Sequence, residues 1–354
     1  KCKVARFEGN KHHKDMRPQA MIKQNLNLVT TKDHQQIAVW HIIDDEVFDP
    51  VNNSDNEALD SNDFNSNTGA HKKQNLLFLH GAFSDKTVCL GIVSYFASLG
   101  HQCFVTEWRG HGSSSQPQTK YHLEDIAFYD VKATFDYLLN DLKLDNLHCI
   151  THSGGGICLT LFLTRHPEFN DKIKSICMVA CQVFAGTSTP SSYAKLLFLK
   201  AVTRQLGYVE GKRLKLGTMN ESYYLLSQWM DWNLNQNFSS YLPTPIRRQL
   251  LRQTGLRLSR KSQTITTPQP LDYRTLMPNI TIPIYSICAA GDWVAPPRGT
   301  LKYLQAFKNS NNQWREFSVA NGDLEDYNHT RIFLSRNASK EVWPTVLDWV
   351  QKHS

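Results

Sequence analysis

Ser153 is the residue around which chemistry can be argued. It lies in Leu147-His148-Cys149-Ile150-Thr151-His152-Ser153-Gly154-Gly155-Gly156-Ile157-Cys158-Leu159, which reads as a short buried strand, a very tight turn and the opening of an apolar helix. A serine hydroxyl is a poor nucleophile, so chemistry there needs an exposed Oγ, a base within hydrogen-bond reach and donors for the developing oxyanion. A strand-to-helix elbow supplies the exposure if small residues two before and two after let the chain pass, here Thr151 and Gly155. A plain glycine-rich, helix-opening loop gives the same local pattern.

The groups that could serve such a serine lie elsewhere in the chain. Asp292 follows an apolar strand at 280–290 and precedes Pro296-Pro297, and His329 follows the last strand, 314–319, after a loop at 321–328. His152 adjoins the serine as a rival base, although a neighbour on a sharp turn should point away from it. Asp323 and Asp326, in the loop that carries His329, are rivals to Asp292.

The elements that must position these residues can be read from periodicity. Residues 25–43 alternate apolar and polar around the turn signal Thr31-Lys32-Asp33, the pattern of a starting β-hairpin. Residues 76–83 form a continuous apolar run into the turn at His80-Gly81, as buried parallel strands do. Helical spacing follows at 88–99, then a strand at 102–108, the loop Arg109-Gly110-His111-Gly112, and a long amphipathic helix at 121–144 leading into the Ser153 strand. Strand, helix and strand in this order imply a parallel sheet with right-handed crossovers. Residues 173–183 read as the sixth strand, and 339–352 as a closing amphipathic helix.

Composition narrows the classes. A chain of 354 residues with a net charge of +7 has room for one large α/β domain with an insertion, or for two domains. No run approaches the roughly 18 apolar residues of a membrane span. Residues 44–63 hold eight acids and no base, while 186–275 hold 13 Lys/Arg against four acids. Cys103, Cys149, Cys158, Cys177, Cys181 and Cys288 sit in apolar stretches without metal-ligand spacing, which favours buried reduced thiols and a reducing, cytoplasmic setting. The chain starts at Lys1 rather than Met, so the question of a removed leader stays open.

Thr151-His152-Ser153-Gly154-Gly155 resembles the nucleophile elbow of α/β-hydrolases, with threonine in place of the first glycine of the usual G-x-S-x-G. His80-Gly81, the Arg109-Gly110-His111-Gly112 loop and Gly291-Asp292 before a Pro turn are similar to family features in the same order, and the stretch from His122 to Thr134 is similar to the helix before the nucleophile in acid lipases. The resemblance implies an α/β-hydrolase fold: a mostly parallel central sheet flanked by helices, with a helical cap inserted after the sixth strand. Taken with the charge distribution, it divides the chain into a basic arm at 1–24, a core at 25–185 and 276–354 interrupted by an acidic, flexible loop at 44–74, and a basic, aromatic cap at 186–275.

The same resemblance implies a triad of Ser153 as nucleophile, His329 as base and Asp292 as acid, with the Ala82 and Gly154 N–H groups as oxyanion hole. His80, Phe83 and Trp293 are assigned to substrate contact, and His111 to ordering its loop. No metal or cofactor is called for. The expected activity is hydrolysis of a carboxylic ester with a hydrophobic or lipid-like part; an acyltransferase using the same acyl-enzyme and a non-catalytic lipid-binding protein of the same fold are the alternatives. The basic cap could also touch an anionic membrane peripherally, and no nucleic-acid partner is expected.

Overall fold

The computed structural model describes residues 21–47, 73–187, 189–214, 216–242 and 270–354. Strands β1 (Ile22–Thr30), β2 (Gln36–Asp44), β3 (Asn75–Leu79), β4 (Gln102–Glu107), β5 (Leu147–His152) and β6 (Ile173–Val179) precede two short strands, β7 (Tyr208–Val209) and β8 (Glu221–Ser222), and are followed by β9 (Ile284–Ala289) and β10 (Gln313–Phe317). Eight of these form one sheet in the order β1-β2-β4-β3-β5-β6-β9-β10, and β7 pairs with β8 alone. The first two pairings, β1 with β2 and β2 with β4, are antiparallel, and every other pairing in the large sheet is parallel.

The apolar runs of the sequence are explained by burial on both faces. In β3, Leu77 and Leu79 pack into one hydrophobic cluster, with Ile126 and Phe135 of the helical stretch 123–141 and with Ile157 and Phe162 of the elbow helix, Gly154–Arg165. The alternate residues Leu76 and Phe78 pack into the other, with Ile92 and Phe96 of the helix Leu90–Ser98 and Val342 and Val346 of the helix Ala338–Lys352. Period-two alternation of side chains across a strand sends neighbours to opposite layers, so a strand covered on both sides has no polar face.

The hairpin and helices stand where their spacing places them, with adjusted ends. The first strand begins at Ile22, inside the stretch read as an arm, because Ile22 continues the ladder opposite Asp44. The sixth strand stops at Val179 rather than 183: Ala180 turns into the left-handed region with φ 55°, and the chain leaves the sheet. The helical stretch before the elbow includes π-helical turns at Ile126–Val131 and Tyr137–Asp141, a local widening that periodicity does not announce.

Between β6 and β9 lie a lid helix, Pro190–Leu206, and a second helix, Tyr223–Asn235, joined through β7 and β8. Thr189 caps the lid helix by accepting from Ser192 N–H, Pro190 occupies the first turn, and Gly207 ends it with φ 79°. The basic arm at 1–20, most of the acidic loop (48–72) and cap residues 243–269 lie outside the described residues. Cys89, Cys103, Cys149, Cys158, Cys177, Cys181 and Cys288 are all buried and free. Among the described residues no helix is long and apolar enough to cross a membrane, and no cluster of three or more His, Cys, Asp or Glu could hold a metal ion.

Candidate active site

Ser153 lies between the end of β5 and the first turn of the elbow helix with φ 51° and ψ −121°, a conformation that costs about 1–3 kcal/mol and persists only where surroundings enforce it. Ser153 N–H donates to Val179 O at 2.9 Å, pinning the turn to β6. Close approach does the rest. A Cβ on Gly155 would lie 2.3 Å from Leu79 O, and one on Gly81 would lie 2.8 Å from Ser153 Cβ. The third glycine explains why threonine is tolerated two before the serine. Thr151 is fully buried, and a Cβ on Gly156 would lie 2.8 Å from its Oγ1, so the space for the Thr151 side chain comes from the helix side.

Three distant residues meet at this turn. His329 Nε2 is 2.8 Å from Ser153 Oγ, and His329 Nδ1 is 2.8 Å from Asp292 Oδ2. Asp292 Oδ1 accepts from Val294 N–H at 2.8 Å and Ala295 N–H at 2.9 Å. Burial alone would raise the Asp292 carboxyl, but the adjacent His329 and the two N–H donors outweigh it, and the group is held below the usual carboxylate value. The carboxylate therefore fixes Nδ1–H and leaves Nε2 as the acceptor facing the serine hydroxyl.

The rivals are engaged elsewhere. Asp323 accepts from Arg315 and from Ser318 N–H, each at 2.8 Å, and Asp326 accepts from Val319 N–H at 2.9 Å, so both carboxylates fold the loop rather than reach His329. His152 is buried, and its Nε2–H donates to the carbonyl oxygen of His329 at 2.7 Å. Burial, with the neighbouring His329, pushes its pKa down to about 4, so it is neutral. It holds the base's backbone and does not replace the base.

Ala82 and Gly154 stand side by side: a Cβ on Gly154 would be 3.5 Å from Ala82 N. Gly154 N–H is in the first helical turn, where backbone donors lack intrahelical partners, and no acceptor in the described residues takes Ala82 N–H. Two free donors thus lie next to Ser153.

His80 departs from its expected place. It does not line the pocket; it is fully buried with both nitrogens in use, Nδ1–H donating to Gly81 O at 2.7 Å and Nε2 accepting from Trp108 N–H at 3.2 Å. Burial, with a contribution from His111, pushes it down to about 3, so it orders the turn below Ala82 as a neutral ring. Phe83 and Trp293 do line the pocket, and Trp293 is 66% exposed.

Apart from Gln182, the pocket onto which Ser153 and His329 open is lined by apolar residues. Leu196 and Leu199 of the lid helix, Val209 and Leu216, and Leu225, Leu226, Trp229 and Met230 of the second cap helix line it together with Leu123 and Ile157 of the core. The sequence draws attention to the aromatic residues of this region, whereas these aliphatic positions are signalled only by their 3–4 residue spacing in the two helices. Gln182, the other polar side chain in the lining, is internally satisfied: its amide donates to Val294 O at 3.0 Å and accepts from Ala185 N–H at 3.2 Å.

A family model described as alpha/beta hydrolase fold matches residues 74–322, which hold Ser153 and Asp292. The chain belongs to the α/β-hydrolase fold family. No curated protein sequence matches this α/β-hydrolase. Among solved structures, an esterase from Thermogutta terrifontis superposes with a TM-score of 0.54 at 12% identity, over 93% of this chain and 100% of that one. An esterase from Exiguobacterium antarcticum gives 0.53 at 15% identity over 92% and 98%. Mouse alpha/beta hydrolase domain-containing protein 10 gives 0.55 at 14% identity over 93% and 100%. At these identities the likeness is one of fold.

Proposed function

We propose that this α/β-hydrolase is a serine-dependent carboxylic ester hydrolase acting on esters with an apolar, lipid-like acyl group. The observation that carries the reading is the hydrogen-bonded line Asp292–His329–Ser153, with 2.8 Å at each step, opening onto a pocket with no charged side chain among its apolar walls.

In this reading Ser153 Oγ attacks the ester carbonyl carbon as its proton passes to His329 Nε2. The carbonyl oxygen becomes an oxyanion that the Ala82 and Gly154 N–H groups stabilise. Collapse breaks the bond to the alcohol, which leaves with the proton from Nε2. Water then attacks the acyl-enzyme, giving its proton to Nε2, and the acid departs as Ser153 recovers a proton. Asp292 keeps the imidazole in the required tautomer and balances its charge in both halves. Apolar burial along Leu196, Leu199, Leu225 and Trp229 supplies the affinity for an acyl chain, and the lid helix also presents Phe198 (72% exposed) and Leu206 (56% exposed) outward, which supports delivery from a lipid surface.

Intact-mass analysis after a fluorophosphonate probe tests this directly. One adduct on the wild type, absent from Ser153→Ala and accompanied by turnover of p-nitrophenyl esters, is the expected result. A folded wild type that forms no adduct and turns over no ester overturns the reading; turnover seen only with an added alcohol or thiol acceptor would replace it with acyl transfer.

A further inference from the structure

The oxyanion side of the site is held from the cap. Phe83, directly after Ala82, has φ 65°, a region that a bulky L-residue occupies only when its surroundings impose it. Both polar groups of its backbone are taken by one cap segment: Phe83 N–H donates to Glu221 Oε2 at 3.2 Å, and Phe83 O accepts from Met219 N–H at 2.9 Å. The fit leaves no slack, since a Cβ on Gly217 would lie 2.2 Å from Phe83 O.

Glu221 is 2% exposed and faces three donors. Its Oε2 accepts from Phe83 N–H and from His111 Nε2–H, the latter at 2.9 Å, while its Oε1 accepts from Ser222 N–H at 2.9 Å. The other ring nitrogen of His111 lies 3.0 Å from Arg109 O, a group that only accepts, so both nitrogens face acceptors; burial opposes charge on the ring, but the Glu221 carboxylate outweighs it and raises the group above its ordinary value, favouring the imidazolium form. Only a carboxylate can accept at both oxygens. An amide in either orientation would set its NH2 against an N–H.

We propose that Glu221 is a positioning residue for the reaction: with His111 it fixes Phe83 and so aims Ala82 N–H, and the oxyanion hole is complete only while cap residues 208–214 and 216–222 are docked. The inference rests on the ester-hydrolase reading above. It makes the cap part of the chemical apparatus as well as the wall of the pocket, because withdrawing this segment would release Phe83 from its constrained backbone and disperse the hole.

The experiment compares Glu221→Gln with wild type on p-nitrophenyl butyrate, with Glu210→Gln, an ion-pairing residue of the same segment outside the site, as control. Loss of one oxyanion donor lowers kcat by about 10²–10³-fold, so a misaimed one should lower it at least ~10-fold with KM within about twofold. Inhibition by an alkyl trifluoromethyl ketone, which Ser153 converts to an oxyanion, should weaken in parallel, while binding of the matching alcohol should not change. Wild-type kcat in folded Glu221→Gln, or a rise in KM alone, overturns the proposal. If the variant does not fold, hydrogen exchange on the wild type decides: the ketone should protect 208–214 and 216–222 more than the alcohol does, and equal protection overturns the proposal. A wild type with neither turnover nor ketone adduct removes the hydrolase reading, and this one with it.

Discussion

His152 donates its Nε2–H to the carbonyl oxygen of His329 at 2.7 Å, so the residue beside the elbow serine holds the backbone of the imidazole that the serine faces. Two histidines that compete for one role in the sequence therefore have separate tasks. Ser153→Ala and His329→Ala should each lower kcat by at least ~10³-fold, whereas His152→Ala, which removes one neutral hydrogen bond and leaves the His329 ring its own bonds to Asp292 and Ser153, should lower it by no more than about tenfold. Equal collapse of kcat in all three variants would make His152 part of the chemistry.

The Asp292–His329 contact makes stability depend on acid. The folded carboxyl lies below its ordinary value, so the stability it adds is complete above an unfolded pKa of about 3.9 and is lost as pH falls through the lowered folded value. Thermal melts of wild type and Asp292→Asn should differ at pH 6 and converge towards pH 3. A constant separation would contradict this linkage.

A second buried network ties the hairpin to the core. Arg109 Nε and Nη2 donate to Asp130 Oδ1 at 2.9 and 2.7 Å, and its Nη1 donates to Asp33 at 2.7 Å. Removing the cation leaves Asp130 buried without its counter-charge, so Arg109→Met should destabilise by about 3–5 kcal/mol at pH 8 in chemical denaturation. Burial already raises Asp130 to about 6 despite Arg109. A folded pKa above the unfolded one means that stability falls as pH rises through it, so the variant should be less destabilised at pH 5 than at pH 8.

The pocket walls predict acyl selectivity. Leu199 and Leu226 both line the pocket, and a larger side chain at either fills space that a long chain needs. Leu226→Trp should lower kcat/KM for a long-chain p-nitrophenyl ester at least ~10-fold relative to a short-chain one, since overpacking cannot be relieved without shifting neighbours. An unchanged chain-length profile would place the acyl chain elsewhere.

How much of this could be read from the sequence follows from how local each signal is. The parallel strands announce themselves because both faces are buried, and Ser153 because a strained turn needs Gly155 within a few residues of it. In the sequence only the resemblance of Gly291-Asp292 to a family feature favours Asp292 over Asp323 and Asp326; the partners that engage the rivals, Arg315 and the N–H groups of Ser318 and Val319, are encoded by no spacing. His80 reads as a pocket residue from its position, yet its two bonds go to backbone atoms, one of them on Trp108. Glu221 carries no signal at all: it meets Phe83 across a separation of 138 residues, through a backbone donor.

The seven thiols of the described residues, all buried, bear on how the molecule can be followed in solution. Burial pushes each of them up, Cys288 to about 12 and the others further, so none is a reactive thiolate while the fold is closed. They are distributed over β4, β5, β6, the turn after β6, β9, the elbow helix and the start of the Leu90–Ser98 helix. Alkylation at each one therefore acts as a clock for the opening of its own neighbourhood, and mapped by mass it would show which layer of the sheet comes apart first.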